Sequence, residues 1–122
     1  MKKIIAILLI LVFSLSLVAC KSTYSDVIEQ LEDMDMGGYF YTDAQIISMK
    51  EEYAIKQNIV SFANFSSIME NGEELNLYVA ELETKEQAET FCLDFATQWR
   101  YAVVTENVVV YGNNSVINDL EL

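Results

Sequence analysis

Ala88, Phe91, Cys92, Phe95 and Trp99 recur at i, i+3, i+4, i+7 and i+11. This is the strongest helical periodicity in the chain, and it is largely aromatic. A helix with such a stripe must bury it against another element. Thr84-x-x-Gln87 marks its start as a capping box, and Glu86, Glu89 and Asp94 fall off the stripe. Strand-like runs stand on both sides of this helix in the chain. The partner surface it requires is therefore a sheet, and the fold class is α+β.

Ile59 to Met69 and Glu73 to Leu82 read as two strands around Asn71-Gly72. That dipeptide favours the type I′ turn of a two-residue hairpin loop. Such a loop sets Phe65 opposite Tyr78, Ala63 opposite Ala80 and Ile68 opposite Leu75. One face then carries Ile68, Leu75, Leu77 and Val79. The other carries Phe65, Tyr78, Ala80 and Leu82. A second hairpin joins Tyr101–Thr105 to Val108–Tyr111 around Glu106-Asn107. The β-branched run Val108-Val109-Val110 predicts a strand covered on both faces.

Two helices precede the hairpins. The first spans Tyr24 to Met34, with Val27, Ile28, Leu31 and Met34 at helical spacing and Thr23 or Ser25 as N-cap. The second opens with the capping box Thr42-x-x-Gln45 and runs to about Ala54, with Tyr41 and Ile46 as a hydrophobic staple. Ile46, Ile47, Met49, Tyr53 and Ala54 form its apolar stripe. Gly37-Gly38 ends the first helix, and Tyr39-Phe40-Tyr41 reads as an extended aromatic connection. A last short helix carries Val116, Ile117 and Leu120, capped by Asn113, Asn114 or Ser115. The expectation is one two-layer domain over residues 24–122. It holds a four-stranded antiparallel sheet of two hairpins packed with amphipathic helices, in the order α-α-β-β-α-β-β-α.

The segment before this domain is of another kind. Lys2 and Lys3 lead into an apolar run from Ile4 to Val18, which ends at Leu17-Val18-Ala19-Cys20. The run is shorter than the roughly 20 residues of a spanning helix, as expected for a signal peptide. Leu17-Val18-Ala19-Cys20 resembles the lipobox of bacterial lipoproteins. The resemblance implies a signal peptide at 1–19, cleavage between Ala19 and Cys20, and a diacylglyceryl group on the Cys20 thiol. Residues 20–23 are then the lipidated cysteine and a short tether, and the domain sits on the extracytoplasmic face of the cell membrane. Two acyl chains suffice for stable anchoring. The segment Leu77-Tyr78-Val79-Ala80-Glu81-Leu82-Glu83-Thr84-Lys85-Glu86-Gln87-Ala88 and the ending Asn107-Val108-Val109-Val110-Tyr111-Gly112 also resemble small uncharacterised lipoproteins of low-GC Gram-positive bacteria. That class implies no particular activity.

Charge and missing residue types narrow the function. The formal charge is −12, and loss of Lys2 and Lys3 with the leader makes it two units more negative. Such a chain repels nucleic acid and anionic head groups, so the anchor is the acyl chains and not surface charge. Histidine is absent, which removes the commonest general base and metal ligand. Cys92 is left without a disulfide partner once Cys20 is lipidated, and its stripe position predicts a buried, inert thiol. Asp33-x-Asp35-x-Gly37 begins like a calcium loop, but Ala44 stands where the bidentate Glu is needed, so no metal is expected. Glu81, Glu83, Glu86 and Glu89 read as a solvated surface, and no catalytic residue or cofactor is expected. Tyr39, Phe40 and Tyr41 are the candidate binding residues, since aromatics on a flexible loop anchor a partner protein or stack on a sugar ring. The expected role is a non-enzymatic accessory or protein-binding module. The alternative is an immunity or exclusion lipoprotein that captures a cationic peptide.

Overall fold

The computed structural model describes residues 23–68 and 70–122. The expected signal peptide at 1–19, Cys20 and most of the expected tether lie outside these residues. Among the described residues, no helix is long and apolar enough to cross a membrane.

In chain order the elements are α1 (Tyr24–Asp33), β1 (Gly37–Phe40), α2 (Asp43–Tyr53), β2 (Ile59–Ile68), β3 (Glu74–Leu82), α3 (Lys85–Asp94), β4 (Tyr101–Thr105) and β5 (Val108–Gly112). Short 3₁₀ turns cover Ala96–Gln98 and Ser115–Asp119. The five strands form one antiparallel sheet in the order β1-β2-β3-β5-β4. The α+β class is as the sequence predicts, but the sheet has a fifth strand. Gly37–Phe40 pairs with β2, with Gly38 opposite Phe65 and Tyr39 opposite Asn64. A Gly-Gly pair reads as a break because it weakens strand propensity, yet here it serves contact. A Cβ at Gly38 would stand 2.6 Å from the Phe65 ring, so only glycine lets β1 lie over that side chain.

The expected two layers are also corrected, because helices cover both faces of the sheet. On one face Val27, Ile28 and Leu31 of α1 pack with Ala63, Phe65, Leu77, Val79, Val108 and Val110. Ile117 and Leu120 of the last turn join them. On the other face Ile46 and Met49 of α2 and Ala88 and Phe91 of α3 pack with Phe62, Ala80, Leu82, Val109 and Tyr111. This explains the continuous Val108–Val110 run, which is buried throughout.

The first hairpin differs from its expected register. Ile68 pairs with Glu74, Phe65 with Leu77 and Ala63 with Val79. The slip of one residue moves Phe65 to the face that holds Leu77 and Val79. A type I′ turn needs positive φ at both central residues. Gly72 has φ +84°, but Asn71 is not among the positive-φ residues. Its Oδ1 instead accepts from the Glu73 N–H at 3.0 Å, and the loop lengthens. The second hairpin keeps its expected two-residue loop, with Thr105 opposite Val108 and Glu106 at φ +50°.

Helix starts follow their local signatures. Thr23 caps α1 reciprocally with Asp26, and Thr42 caps α2 reciprocally with Gln45. Thr84 accepts from the Gln87 N–H at 3.1 Å, but the Gln87 side chain does not return to Thr84. Its Oε1 accepts from the Asn58 N–H at 2.7 Å and ties α3 to the entry of β2. Helix ends are less faithful. Met34 is a C-cap and 37 % exposed, and Met36 enters the core in its place. α3 stops at Asp94, because Phe95 adopts φ −129° and ψ −54°.

Candidate functional site

Eight aromatic rings meet in a cleft of about 460 Å³ between α2 and the sheet. Its floor is the face that carries Phe62, Tyr78 and Tyr111 on β2, β3 and β5. The stacking of these rings follows from the pleat, since every second residue of adjacent strands faces the same way. Tyr78 and Tyr111 lie 5.2 Å apart and nearly parallel, at 21°. Trp99 approaches both, at 5.3 Å from Tyr78 and 5.7 Å from Tyr111. The break at Phe95 has a use here. It carries the chain through a 3₁₀ turn and leaves both Phe95 and Trp99 in the cleft lining. On the far wall, Tyr53 of α2 stands 5.5 Å from Phe95.

Tyr39 and Tyr41 form the rim on the β1 side. Their rings meet edge to face at 5.6 Å, and Tyr41 packs on Phe62 at 4.7 Å. Tyr39 is fixed by the α2 cap, where the Gln45 Nε2 donates to its hydroxyl at 2.6 Å. Burial raises the phenol pKa of Tyr41, Tyr78 and above all Tyr111, with neighbouring tyrosines adding to the shift. These hydroxyls are therefore neutral donors and acceptors at physiological pH. Among the described residues of the lining, Glu52 is the carboxylate, and neither lysine nor arginine joins it.

The three candidate binding residues do not converge. Pleat alternation sends Tyr39 and Tyr41 to the cleft and Phe40 to the opposite face. Phe40 meets the Phe65 ring edge-on at 5.9 Å and lines a smaller groove of about 250 Å³ with Tyr24, Ile28, Glu29 and Glu32. Tyr39 is 53 % exposed and Phe40 is 50 % exposed. They belong to an edge strand and not to a loop, with one ring on each side of the sheet margin.

The outer side of that margin is unpaired among the described residues. The Tyr41 N–H bonds to the Phe62 carbonyl at 2.9 Å. In an antiparallel ladder the inward and outward residues alternate. Tyr39 and Gly37 therefore also point their backbone groups at β2, and Gly38 and Phe40 direct theirs outward.

The remaining sequence candidates carry less chemistry. Cys92 is a free, half-buried thiol whose pKa is raised by burial, so it is protonated and a poor nucleophile. Among the described residues no group of three or more Cys, Asp or Glu could hold a metal ion. Sequence reading missed Tyr53, Phe62, Tyr78, Phe95, Trp99 and Tyr111 as site residues. Tyr78 alternates with smaller apolar residues along β3, which is a signal, but it points equally well to core packing. Comparison with known protein families, with characterised proteins and with solved structures finds no match for this chain.

Proposed function

We propose that this chain is a membrane-anchored extracytoplasmic lipoprotein whose domain is a non-enzymatic accessory or protein-binding module. The anchor is the acylated Cys20, supported by the lipobox Leu17-Val18-Ala19-Cys20 behind its basic and apolar leader. The observation that carries the binding role is the aromatic cleft beside an open strand edge. Large rings on a rigid sheet offer contact area at little entropic cost, as the anchors of protein interfaces do. Catalysis by the cleft lacks support, since phenols and Glu52 are the titratable side chains of its described lining and neither imidazole nor thiol joins them there. The tether holds the module near the bilayer and raises its effective concentration for membrane partners.

The alternative role is an immunity or exclusion lipoprotein that captures a cationic peptide. It uses the same cleft and is supported by the charge of −12. Gene deletion separates the roles, because only the second predicts sensitivity to cationic peptides. The common binding role is tested by placing a photoreactive phenylalanine analogue at Tyr53, on the cleft wall, or at Leu93, which is 72 % exposed on α3. The expected result in intact cells is an adduct from position 53 and none from 93. Absence of any adduct from position 53 sinks the binding role.

A further inference from the structure

We propose that a basic, extended peptide segment of a partner adds to the sheet as a sixth strand alongside β1. The reading rests on the domain's role as a binding module and is independent of its anchorage.

Three observations converge on this edge. The first is backbone chemistry. Gly38 and Phe40 present N–H and C=O groups away from β2, which an incoming strand can satisfy. The second is the placement of apolar surface. A strand at this edge points alternate side chains to opposite faces. One set lies against Tyr39 and Tyr41 at the rim of the cleft, and the other lies beside Phe40 and Tyr24 in the smaller groove. The two grooves that flank β1 thus serve one ligand.

The third observation is charge. The groove at Phe40 carries Glu29 and Glu32, the cleft carries Glu52, and no basic residue among those described lines either. Two other grooves of the described surface, away from β1, include Lys50 or Lys56 in their linings. Among the described residues, no lysine or arginine lines the two grooves beside the open edge. A lysine or arginine entering beside Tyr39 and Tyr41 gains a ring face as well as a carboxylate. The same argument disfavours a second copy on this edge, since it would bring a further −12 against its own sign.

The test uses the full chain in a neutral detergent and synthetic peptides of about six residues, an ordinary strand length. The probes are an alternating Lys-Val peptide, the same peptide with alternate amides N-methylated in either phase, and a Glu-Val peptide. Titration calorimetry should show saturable binding of Lys-Val and none of Glu-Val. One N-methylated phase should lose about tenfold or more in affinity, because it removes the donors facing β1 and keeps the charge. Phe40→Pro, whose lost N–H faces away from β2, should abolish binding with an unchanged far-UV spectrum. If that variant unfolds, the N-methylated peptides on the unaltered chain still decide. Equal binding of both N-methylated phases and the parent would reduce the attraction to charge alone and overturn strand addition. No saturable binding of Lys-Val also overturns it, and an adduct from position 53 would then leave the broader binding role standing. A dimer dissolved by Phe40→Pro would assign the edge to a second copy and overturn the proposal.

Discussion

Gln45 and Tyr39 are joined by a 2.6 Å hydrogen bond from the amide Nε2 to the phenol oxygen. The same Gln45 accepts from the Thr42 N–H at 2.9 Å through its Oε1. One side chain thus closes the α2 cap and steadies an exposed ring on the edge strand. The start of a helix and the rim of the cleft are a single hydrogen-bonded unit.

Separating the two tasks of that unit is straightforward. Thr42→Ala removes the acceptor for the Gln45 N–H and should cost about 1 kcal/mol in urea unfolding. Gln45→Ala removes the support of Tyr39 as well, so it should also weaken whatever the cleft binds. A Gln45→Ala variant with unaltered binding would show that Tyr39 needs no such support.

The hairpin register is open to a paired measurement. Phe65 is fully buried, and Phe65→Ala should cost about 3–5 kcal/mol. Ile68 is 78 % exposed, and Ile68→Ala should stay within about 0.5 kcal/mol. The register expected from a two-residue loop places Ile68 opposite Leu75 on a core face, so a large loss at Ile68 would restore it.

In α3, Phe91 and Phe95 should part company. Phe91 is fully buried against Tyr111, and Phe91→Asp should abolish the native far-UV spectrum. Phe95 is half-buried in the cleft lining. Phe95→Asp should fold with reduced stability and an altered cleft.

Alkaline titration should proceed in a defined order. The Tyr24 phenol is pushed up to about 12 by burial, with Glu81 adding to the shift, and Tyr111 rises further. Unfolded tyrosines ionise near 10. Above that pH the folded chain holds protons that the unfolded chain has released. The stabilisation is complete below about pH 10 and drains away as pH climbs through the folded values. Absorbance at 295 nm should therefore show a late group of tyrosines whose ionisation coincides with loss of near-UV dichroism. Early, non-cooperative ionisation of every tyrosine would contradict their burial.

Thiol counting addresses the proposed lipid. Cys92 should react slowly with Ellman's reagent in the native chain and rapidly in denaturant, because burial raises its pKa. With Cys20 acylated, the denatured mature protein should titrate a single thiol. Two thiols would rule out the acyl anchor. In cells, Cys20→Ala should leave the membrane fraction.

How much of this was legible in the sequence depends on the range of the interaction that decides each feature. Helix starts are set within four residues, so Thr42 announces its capping box, Thr84 its N-cap, and Thr23 is one of the two caps open for α1. The tight turn at Glu106-Asn107 is equally local. β1 was not legible, because Gly38 is explained only by Phe65, which lies far along the chain. The diversion of Gln87 to Asn58 has the same cause. The cleft is the extreme case, since its rings come from β1, α2, three further strands and the turn after α3. In the sequence only Tyr39 and Tyr41 of those rings stand out as binding residues, and nothing local marks the others as part of a site. Only their assembly leaves an open space between them.

The position of β5 has a consequence for biogenesis. This strand is the last of the described residues to enter the sheet, yet it occupies an inner place between β3 and β4. Until Val108–Gly112 has emerged, β3 keeps one flank bare and the helix stripe of α3 lacks Val109 and Tyr111 beneath it. A chain with that wiring cannot settle into its native form halfway through synthesis. Such enforced lateness suits the export proposed above, in which the chain passes through a narrow channel as an open strand.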